Sequence, residues 1–250
     1  MKIRLDKLLL EKNLAPTRQK AQALIGAGQV LVNSRSADKA GALVDESSEV
    51  TIKETCPYVS RGGYKLAAGL EHFRIKPAGL VCLDIGASTG GFTDCLLQHD
   101  AQKVYSVDVG YGQLAWKLRQ DSRVVVMERT NARYLTRDDF PEPIDLTVID
   151  AAFISLKLLI PPLLSLFREK TAILALIKPQ FEVGRGKVGK KGVVRDPALH
   201  REVIDEISSF CENLGLKKYG IIPSPILGPR GNKEFLIYLV ADKKLTTRDK

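Results

Sequence analysis

The chain is 250 residues long and 44% hydrophobic, which is enough apolar material for one full α/β core and a small second domain. It contains no apolar run of about 18 residues and no apolar signal region after its first residue, so we expect a cytoplasmic protein that neither spans a membrane nor is secreted. Four cysteines without C-x-x-C spacing predict reduced thiols, and we expect no metal site. The net charge of +9 favours a polyanionic partner, with a solvated basic surface as the alternative.

The N-terminal part of the chain predicts a small domain of two helices followed by short strands, over residues 1–55. Its expected elements are a helix with Leu5, Leu8 and Leu9 on one face, a second helix from the capping residue Thr17 to Gly26, strands over 30–32 and 49–52, and a linker over 56–60. The linker is placed there because Pro57 restrains the backbone and no strong periodicity crosses it.

Positive charge is concentrated in this first domain. Residues 1–35 hold seven lysines and arginines against two acids, a net charge of +5. The segments RLDKLL (4–9), RQKA (18–21) and VLVN (30–33) resemble the αL RNA-binding domain that a small-subunit ribosomal protein shares with many RNA-modifying enzymes. The candidate RNA-binding residues here are Arg4, Lys7, Arg18 and Lys20.

From about residue 61 to residue 250, apolar strands alternate with helices, which predicts a mainly parallel sheet covered on both faces. Strands are expected over 81–86, 103–109, 123–128, 145–150, 171–178, 219–226 and 234–241, and helices over 64–73, 155–168 and 197–214. The last two strands are joined by residues 228–232, too few for a crossover helix, so they should form a hairpin. A Rossmann-like sheet of seven strands, one of them antiparallel, is the architecture of methyltransferases that use S-adenosylmethionine (SAM).

A glycine-rich bend over 86–91 follows the first of these strands and precedes a helical stretch. Such a bend directs backbone N–H groups and a helix N-terminus at an anionic ligand. Asp108 lies 22 residues after Gly86, at the end of the next strand. In doubly wound folds, an acid at this position binds the ribose of the ligand. SAM is the favoured ligand. A dinucleotide site is disfavoured because Ser88 replaces its middle glycine, and the alternatives of a hydrolase nucleophile elbow (G-x-S-x-G) and of a turn without a ligand stay open.

Four polar residues lie at the ends of predicted elements. Asp150 ends the fourth strand, Lys178 ends the fifth, Glu234 opens the last strand, and Lys65 lies at the front of the first helix. The carboxyl ends of adjacent parallel strands form the crevice in which ligands bind, so Asp150 and Lys178 should face one site. The alternative for a lysine at a strand end is that it merely extends to solvent.

The order and spacing of Lys65, Asp150, Lys178 and Glu234 resemble the K-D-K-E tetrad of FtsJ-like ribose 2′-O-methyltransferases. The segments SRGGYKL (60–66), GYGQLAW (110–116), ERTNAR (128–133) and KPQFE (178–182) are similar to those of the TlyA (haemolysin A-like) ribosomal RNA methyltransferases. One departure is Ala151-Ala152, since the family usually has a serine at the second of these positions.

The resemblance implies SAM as the cofactor and ribosomal RNA or a ribosomal subunit as the partner; no oligomeric state is predicted. The implied target is a cytidine ribose in large-subunit rRNA, with or without a second one in the small subunit, and the short tail beyond Val240 favours the large-subunit form. The implied cofactor-binding residues are Asp84, Gly86, Ser88, Thr89, Gly90, Gly91, Phe92, Asp108, Val109, Asn131 and Asp150. Asn131 has an alternative role as a turn residue.

Further RNA contacts are expected from Arg61 and from a basic, glycine-rich stretch over 184–195 that includes Arg185 and Lys187. We predict this stretch to be a flexible loop that is able to close over the substrate.

In the implied reaction, Lys178 activates the ribose hydroxyl and is held by Asp150 and Glu234, while Lys65 fixes the nucleotide; either lysine is a candidate base. The rival hypotheses are a non-catalytic RNA-binding or ribosome-assembly protein and, less favoured, a haemolysin.

Overall fold

The computed structural model describes residues 1–52, 56–167, 170–184, 186–189 and 192–242. The chain forms two compact units, Met1–Pro57 and Tyr58–Lys250, each with a hydrophobic core of its own. The division falls inside the segment 56–60 that the sequence assigns to a linker. Within the described residues, no helix is both long and apolar enough to span a membrane.

The first unit combines two helices with short antiparallel strands. Its elements are β1 (Lys2–Arg4), α1 (Leu5–Glu11), α2 (Arg18–Gly26), β2 (Val30–Val32), β3 (Arg35–Ala37), β4 (Leu43–Asp45) and β5 (Val50–Ile52), with β1 paired to β4 and β2 between β3 and β5. Thr17 caps α2 as predicted, because its hydroxyl accepts a hydrogen bond from the Lys20 amide at 3.2 Å. The strands β1, β3 and β4 were not predicted, since none of them contains a buried residue, whereas β2 and β5, which are equally short, each contain a buried valine.

The second unit is an α/β sandwich around one sheet. Its elements are α3 (Gly62–Phe73), β6 (Val81–Ile85), α4 (Gly91–Gln98), β7 (Lys103–Val107), α5 (Trp116–Arg119), β8 (Val124–Met127), β9 (Leu146–Ile149), α6 (Leu156–Leu163), β10 (Lys170–Ile177), α7 (Pro179–Glu182), α8 (Pro197–Asn213), β11 (Lys217–Pro223) and β12 (Phe235–Asp242). The strand order is β11-β12-β10-β9-β6-β7-β8, and β12 runs antiparallel to both of its neighbours. The predicted seven-stranded sheet with one antiparallel strand is confirmed.

The helix predicted over 155–168 is shorter in the structure. It ends at Leu163 and passes into a 3-10 turn over Leu164–Leu166. Two prolines, Pro161 and Pro162, lie inside it, and proline has no N–H to donate to the preceding turn. The loss of these donors explains why the regular helix does not continue to the predicted end.

Both faces of the central strands are buried. Val81 and Leu83 of β6 pack into the cluster on one face of the sheet, whereas Cys82 between them packs into the cluster on the other face. A parallel strand covered on both sides reads as a continuous apolar run, which is why these strands were recognisable in the sequence. The polar residues that follow such runs therefore mark one edge of the sheet.

Candidate active site

The carboxyl ends of four parallel strands bring polar residues to a common edge. Ile85 of β6 is paired with Val107 of β7 on one side and with Ile149 of β9 on the other. The residues that follow β6, β7, β9 and β10 are Gly86, Asp108, Asp150 and Lys178. They occupy the crevice at which ligands bind in open α/β sheets.

Two lysines and two carboxylates form a buried cluster at this edge. The Nζ atom of Lys178 lies 2.6 Å from Oδ1 of Asp150 and also donates to the main-chain oxygen of Asp150 at 3.2 Å. The Nζ atom of Lys65 lies 2.7 Å from Oε2 of Glu234 and 3.6 Å from Oδ2 of Asp150. The predicted convergence of the four residues is thus what the structure shows.

The pairing inside this cluster differs from the prediction. Lys178 was expected to be held by both Asp150 and Glu234, but among the described acids only Asp150 lies within 4.0 Å of its ammonium group. Glu234 pairs with Lys65 instead, because Lys65 enters the crevice from α3 and places its ammonium between the two carboxylates. Each ammonium nitrogen lies less than 4 Å from a carboxylate oxygen, so every charge of the cluster has a partner of opposite sign.

The loop before β12 leaves room for Glu234. Only 2% of Glu234 is exposed, and its Oε1 atom has no hydrogen-bond partner among the described residues. A Cβ atom on Gly228 would lie 2.0 Å from this oxygen. Residues 228–232 were expected only to connect a hairpin, whereas the structure makes Gly228 part of the site, since no larger residue leaves space for the carboxylate.

Asp108 holds the glycine-rich bend in place. Its Oδ2 atom accepts a hydrogen bond from the Ser88 amide at 2.8 Å, and its Oδ1 atom accepts one from the Gly110 amide at 2.7 Å. At the start of the bend, Gly86 has a φ of 81°, and a Cβ there would lie 2.9 Å from the main-chain oxygen of Asp150. Asp108 is therefore fixed at the crevice with lone pairs still available to a ligand.

Two cavities open at this edge, of about 690 Å³ and about 880 Å³. The smaller is lined by Lys65 and Lys178 and by the loop 226–231. The larger is lined by Asp108 and by an apolar wall that includes Phe153 and Phe181. Asp150 borders both cavities, so a group bound in one lies beside a group bound in the other.

Comparison with known proteins decides the family. An FtsJ-like methyltransferase model matches residues 58–241, and an S4 domain model matches residues 3–50. The chain belongs to the FtsJ-like methyltransferase family. The resemblance to this family, and the αL-type domain expected at the N-terminus, are thereby confirmed.

Individual relatives cover nearly the whole chain. The 16S/23S rRNA (cytidine-2′-O)-methyltransferase TlyA of Mycobacterium tuberculosis is 45% identical over 238 residues, 94% of this chain and 89% of that protein. Hemolysin A of Brachyspira hyodysenteriae is 38% identical and covers 95% of this chain and 100% of that protein. A solved structure from Streptococcus thermophilus is 42% identical, with a TM-score of 0.75, and covers 97% of this chain and 89% of that one.

Most of the predicted cofactor-binding residues of the FtsJ-like domain line the cavities. Gly86, Ser88 and Asp150 line both; Thr89, Gly91 and Phe92 line the smaller; Asp108, Val109 and Asn131 line the larger. Asn131 also fulfils its alternative role, because its Oδ1 atom caps a short 3-10 turn by accepting from the Arg133 amide at 3.1 Å. The structure therefore brings nine of the predicted residues, as listed here, to the cavity walls.

Asp84 and Gly90 line neither cavity: Asp84 lies in β6 just before the bend, and Gly90 is part of the bend itself. Asp84 is fully buried, accepts a hydrogen bond from the Thr93 hydroxyl at 2.7 Å, and has its pKa raised to about 7 by burial. Gly90 has a φ of 95°, and a Cβ there would lie 2.2 Å from the Leu118 side chain. These two residues therefore support the bend and are not among the residues that line the cavities.

In the S4 domain, two of the predicted RNA-binding arginines are anchored on one buried acid. Asp6 is fully buried and receives hydrogen bonds at 3.0 Å from Nε and a terminal nitrogen of Arg4 and from Nε of Arg18. The Arg4 guanidinium holds the pKa of this carboxyl well below its usual range. Lys7 and Lys20 are exposed.

The remaining predicted RNA contacts are distributed over the FtsJ-like domain. Arg61 lines the smaller cavity beside Lys65. Lys187 forms an ion pair with Glu202 of α8, so part of its charge is already neutralised. Arg185 lies outside the described residues.

Proposed function

We propose that this protein transfers a methyl group from SAM to the 2′-hydroxyl of a ribose in ribosomal RNA, with a cytidine as the target nucleotide. The observation that carries the proposal is the buried Lys65–Glu234 and Asp150–Lys178 cluster, which borders the two cavities at the end of the sheet. The cytidine specificity is taken from the M. tuberculosis relative, which is named for that reaction.

The residues at the larger cavity fit SAM. The Asp108 carboxylate is suited to a ribose, the bend 86–91 offers backbone amides to a carboxylate, and Phe153 and Phe181 provide an apolar wall for an adenine. A Cβ on Gly86 would lie 2.9 Å from the main-chain oxygen of Asp150, so the bend can pass this close to Asp150 only with a glycine there. When bound, SAM supplies a methyl group that is already activated by its sulfonium.

Lys178 is the base in this proposal. Oδ1 and the main-chain oxygen of Asp150 orient Nζ, and they stabilise the ammonium that forms when a neutral amine there takes the proton of a ribose hydroxyl. Lys65 binds the other carboxylate oxygen of Asp150 and is itself held by Glu234. This arrangement keeps Asp150 turned towards Lys178.

RNA is held by the S4 domain and by the rim of the smaller cavity. Lys7 and Lys20 are exposed for phosphate contacts, and Arg4 and Arg18 are fixed by Asp6 with guanidinium donors left over. Arg61 is positioned at the cavity wall to meet the backbone of the target nucleotide. Phosphate contacts set register and affinity, while the cavity selects the nucleotide.

The test uses the purified full chain, SAM labelled in its methyl group, and ribosomal subunits from cells that lack the gene. We expect label to enter rRNA, and nuclease mapping followed by mass spectrometry should place one 2′-O-methyl group on a cytidine. A Lys178→Ala variant serves as the inactive control. Tight binding to rRNA without any transfer of label would support the rival hypothesis of a non-catalytic RNA-binding protein.

A further inference from the structure

We propose that Glu182 is a positioning residue for methyl transfer, which joins the segments 150–155 and 178–182 and thereby keeps Asp150 and Lys178 aligned. The inference rests on the proposed function. Glu182 closes the KPQFE motif, and neither the tetrad nor the cofactor residues account for its presence there.

Three contacts connect the two segments in the same order along both. At the first, Asp150 and Lys178 form the ion pair of the active site. At the second, the rings of Phe153 and Phe181 lie with their centroids 5.0 Å apart. At the third, the Ser155 hydroxyl donates to Oε2 of Glu182 at 2.5 Å.

Glu182 is bound on both of its oxygens by the start of α6. Besides the Ser155 hydroxyl on Oε2, the Leu156 amide donates to Oε1 at 2.9 Å. The same Ser155 hydroxyl accepts from the Lys157 amide at 3.1 Å, so one hydrogen-bonded chain ties α7 to the first turn of α6. No described lysine or arginine lies within 4.0 Å of the Glu182 carboxylate, which means that its partners are neutral donors rather than a surface cation.

The environment of Glu182 differs from that of a surface acid. The side chain is half-buried, and this burial raises the pKa of its carboxyl group despite the two donors. Burying a carboxylate costs free energy unless hydrogen bonds compensate for the lost water. The two hydrogen bonds that compensate here also fix the end of the segment that begins at Asp150.

The segment between the two anchors forms part of the cavity wall. Residues 151–154 all line the larger cavity, and Phe153 among them has a left-handed φ of 62° with 90% of its surface exposed. An exposed residue in that backbone region keeps its conformation only when its surroundings impose it. Asp150 anchors the segment at one end, and the Ser155–Glu182 bond anchors it at the other.

Replacing Glu182 should therefore loosen the site without unfolding the protein. Glu182→Gln keeps the size of the side chain, but its neutral amide has only one acceptor oxygen for the two groups that donate to Glu182, the Ser155 hydroxyl and the Leu156 amide. We expect the single-turnover rate at saturating SAM and rRNA to fall about tenfold and the SAM dissociation constant to rise about fivefold, which is the range for one or two displaced hydrogen bonds.

The experiment compares wild type, Glu182→Gln, Ser155→Ala and the double variant in single-turnover methylation, with calorimetry for SAM. A positioning role lowers the rate constant of methyl transfer and preserves the amplitude, which is the fraction of the rRNA that becomes methylated. A purely structural role lowers this amplitude and the midpoint of thermal unfolding together. Because Ser155 and Glu182 are directly bonded members of one hydrogen-bonded chain, the losses should not add, and the double variant should lose little more than the worse single variant. Glu212→Gln, an exposed acid of α8, is the matched control and should behave as wild type.

The outcomes separate this inference from the proposed function. If wild type transfers no methyl group, the proposed function fails first. If wild type is active and Glu182→Gln matches it in rate constant and SAM affinity, the positioning role alone is overturned. A loss confined to amplitude, or additive losses in the double variant, would also overturn it.

Discussion

At the scale of single residues, Asp150 is the centre of the site. Its two carboxylate oxygens face different lysines, Lys178 at 2.6 Å and Lys65 at 3.6 Å, and its side chain borders both cavities. Removing one member of a buried ion pair leaves the other charge without compensation. The four residues of the cluster are therefore not equivalent, and their variants should differ in a predictable order.

We predict that Lys178→Ala lowers the single-turnover methylation rate by about 100-fold or more, because both positioning and proton removal are lost. Asp150→Asn should lose a comparable factor and also weaken SAM binding, since its carboxylate borders both cavities. The rates are measured at saturating SAM and rRNA, with thermal melting as a check on folding. Lys76→Gln, an exposed lysine, is the control, and full activity in Lys178→Ala would refute the proposed mechanism.

A second prediction concerns Asp84, whose pKa is raised by burial to about 7 from the ordinary value of 3.8. Between about pH 4 and pH 7 the folded state holds a proton that the unfolded state has lost, so this group's stabilising contribution is full below about pH 4 and falls as the pH rises. Relative to Asp84→Asn, wild type should lose up to about 4 kcal/mol of unfolding free energy across that window.

Urea unfolding of the two proteins at several pH values between about 5 and 8 measures this difference. The comparison with Asp84→Asn is needed because the other carboxyl groups of the chain titrate in both proteins and cancel. A difference in unfolding free energy that stays constant over this range would show that Asp84 is ionised in the folded protein throughout.

At the scale of elements, the loops between strands complete the site. The connection 224–234, which is longer than the expected 228–232, joins β11 to β12 in the manner of a hairpin, and Gly228 within it sets the space available to Glu234. In the same way, the bend after β6 is held by a carboxylate from the end of β7. Loops carry function because a rigid sheet fixes their ends, and here two loops also depend on side chains from neighbouring strands.

We predict that Gly228→Ala lowers methylation strongly, by about tenfold or more, because a Cβ at 2.0 Å from Oε1 of Glu234 must displace the carboxylate from Lys65. Gly26→Ala, where a Cβ would have nothing within 4 Å, is the control for an ordinary glycine substitution. The measurement is the single-turnover rate, with circular dichroism to confirm folding. Wild-type activity in Gly228→Ala would mean that the position of Glu234 does not matter for the reaction.

At the scale of the whole molecule, we expect the first unit to contribute affinity for RNA and the second unit to bind SAM. The first unit has its own small core and exposes basic side chains, while the second unit contains all four residues of the buried cluster. Affinity for RNA that comes from phosphate contacts depends on salt, whereas SAM affinity depends on the cavity alone. The two properties should therefore separate on mutation.

We predict that Lys7→Gln combined with Lys20→Gln weakens binding to rRNA and makes the dependence of log affinity on log salt shallower by about one to two units, since each lost phosphate contact removes about 0.7 to 0.9. The SAM dissociation constant should not change. Filter binding at several salt concentrations and calorimetry supply the two measurements. An unchanged salt slope would exclude these two lysines from the RNA interface.

Much of the fold was predictable from the sequence because local patterns carry it. The strands of the second unit are apolar runs that end in polar residues, and the glycine bend lies between one such run and a helix, so the candidate site could be placed at the sheet edge. The αL-type domain was recognisable from its helices and charges. Its strands β1, β3 and β4 were not, because none of them buries a side chain and so none shows a hydrophobic pattern.

Other features were decided only by the tertiary structure. Which lysine meets which carboxylate depends on distances between residues far apart in the chain, since Lys65 and Glu234 are separated by 169 positions. How Arg4 and Arg18 share Asp6, and why Gly228 must lack a side chain, depend on where the folded backbone places each side chain. The sequence by itself determined which residues reach the edge of the sheet, because strand ends follow from hydrophobic patterning. The partners were determined by packing, because an ion pair or a steric contact is made or lost within about 1 Å, and no local pattern specifies a position that closely.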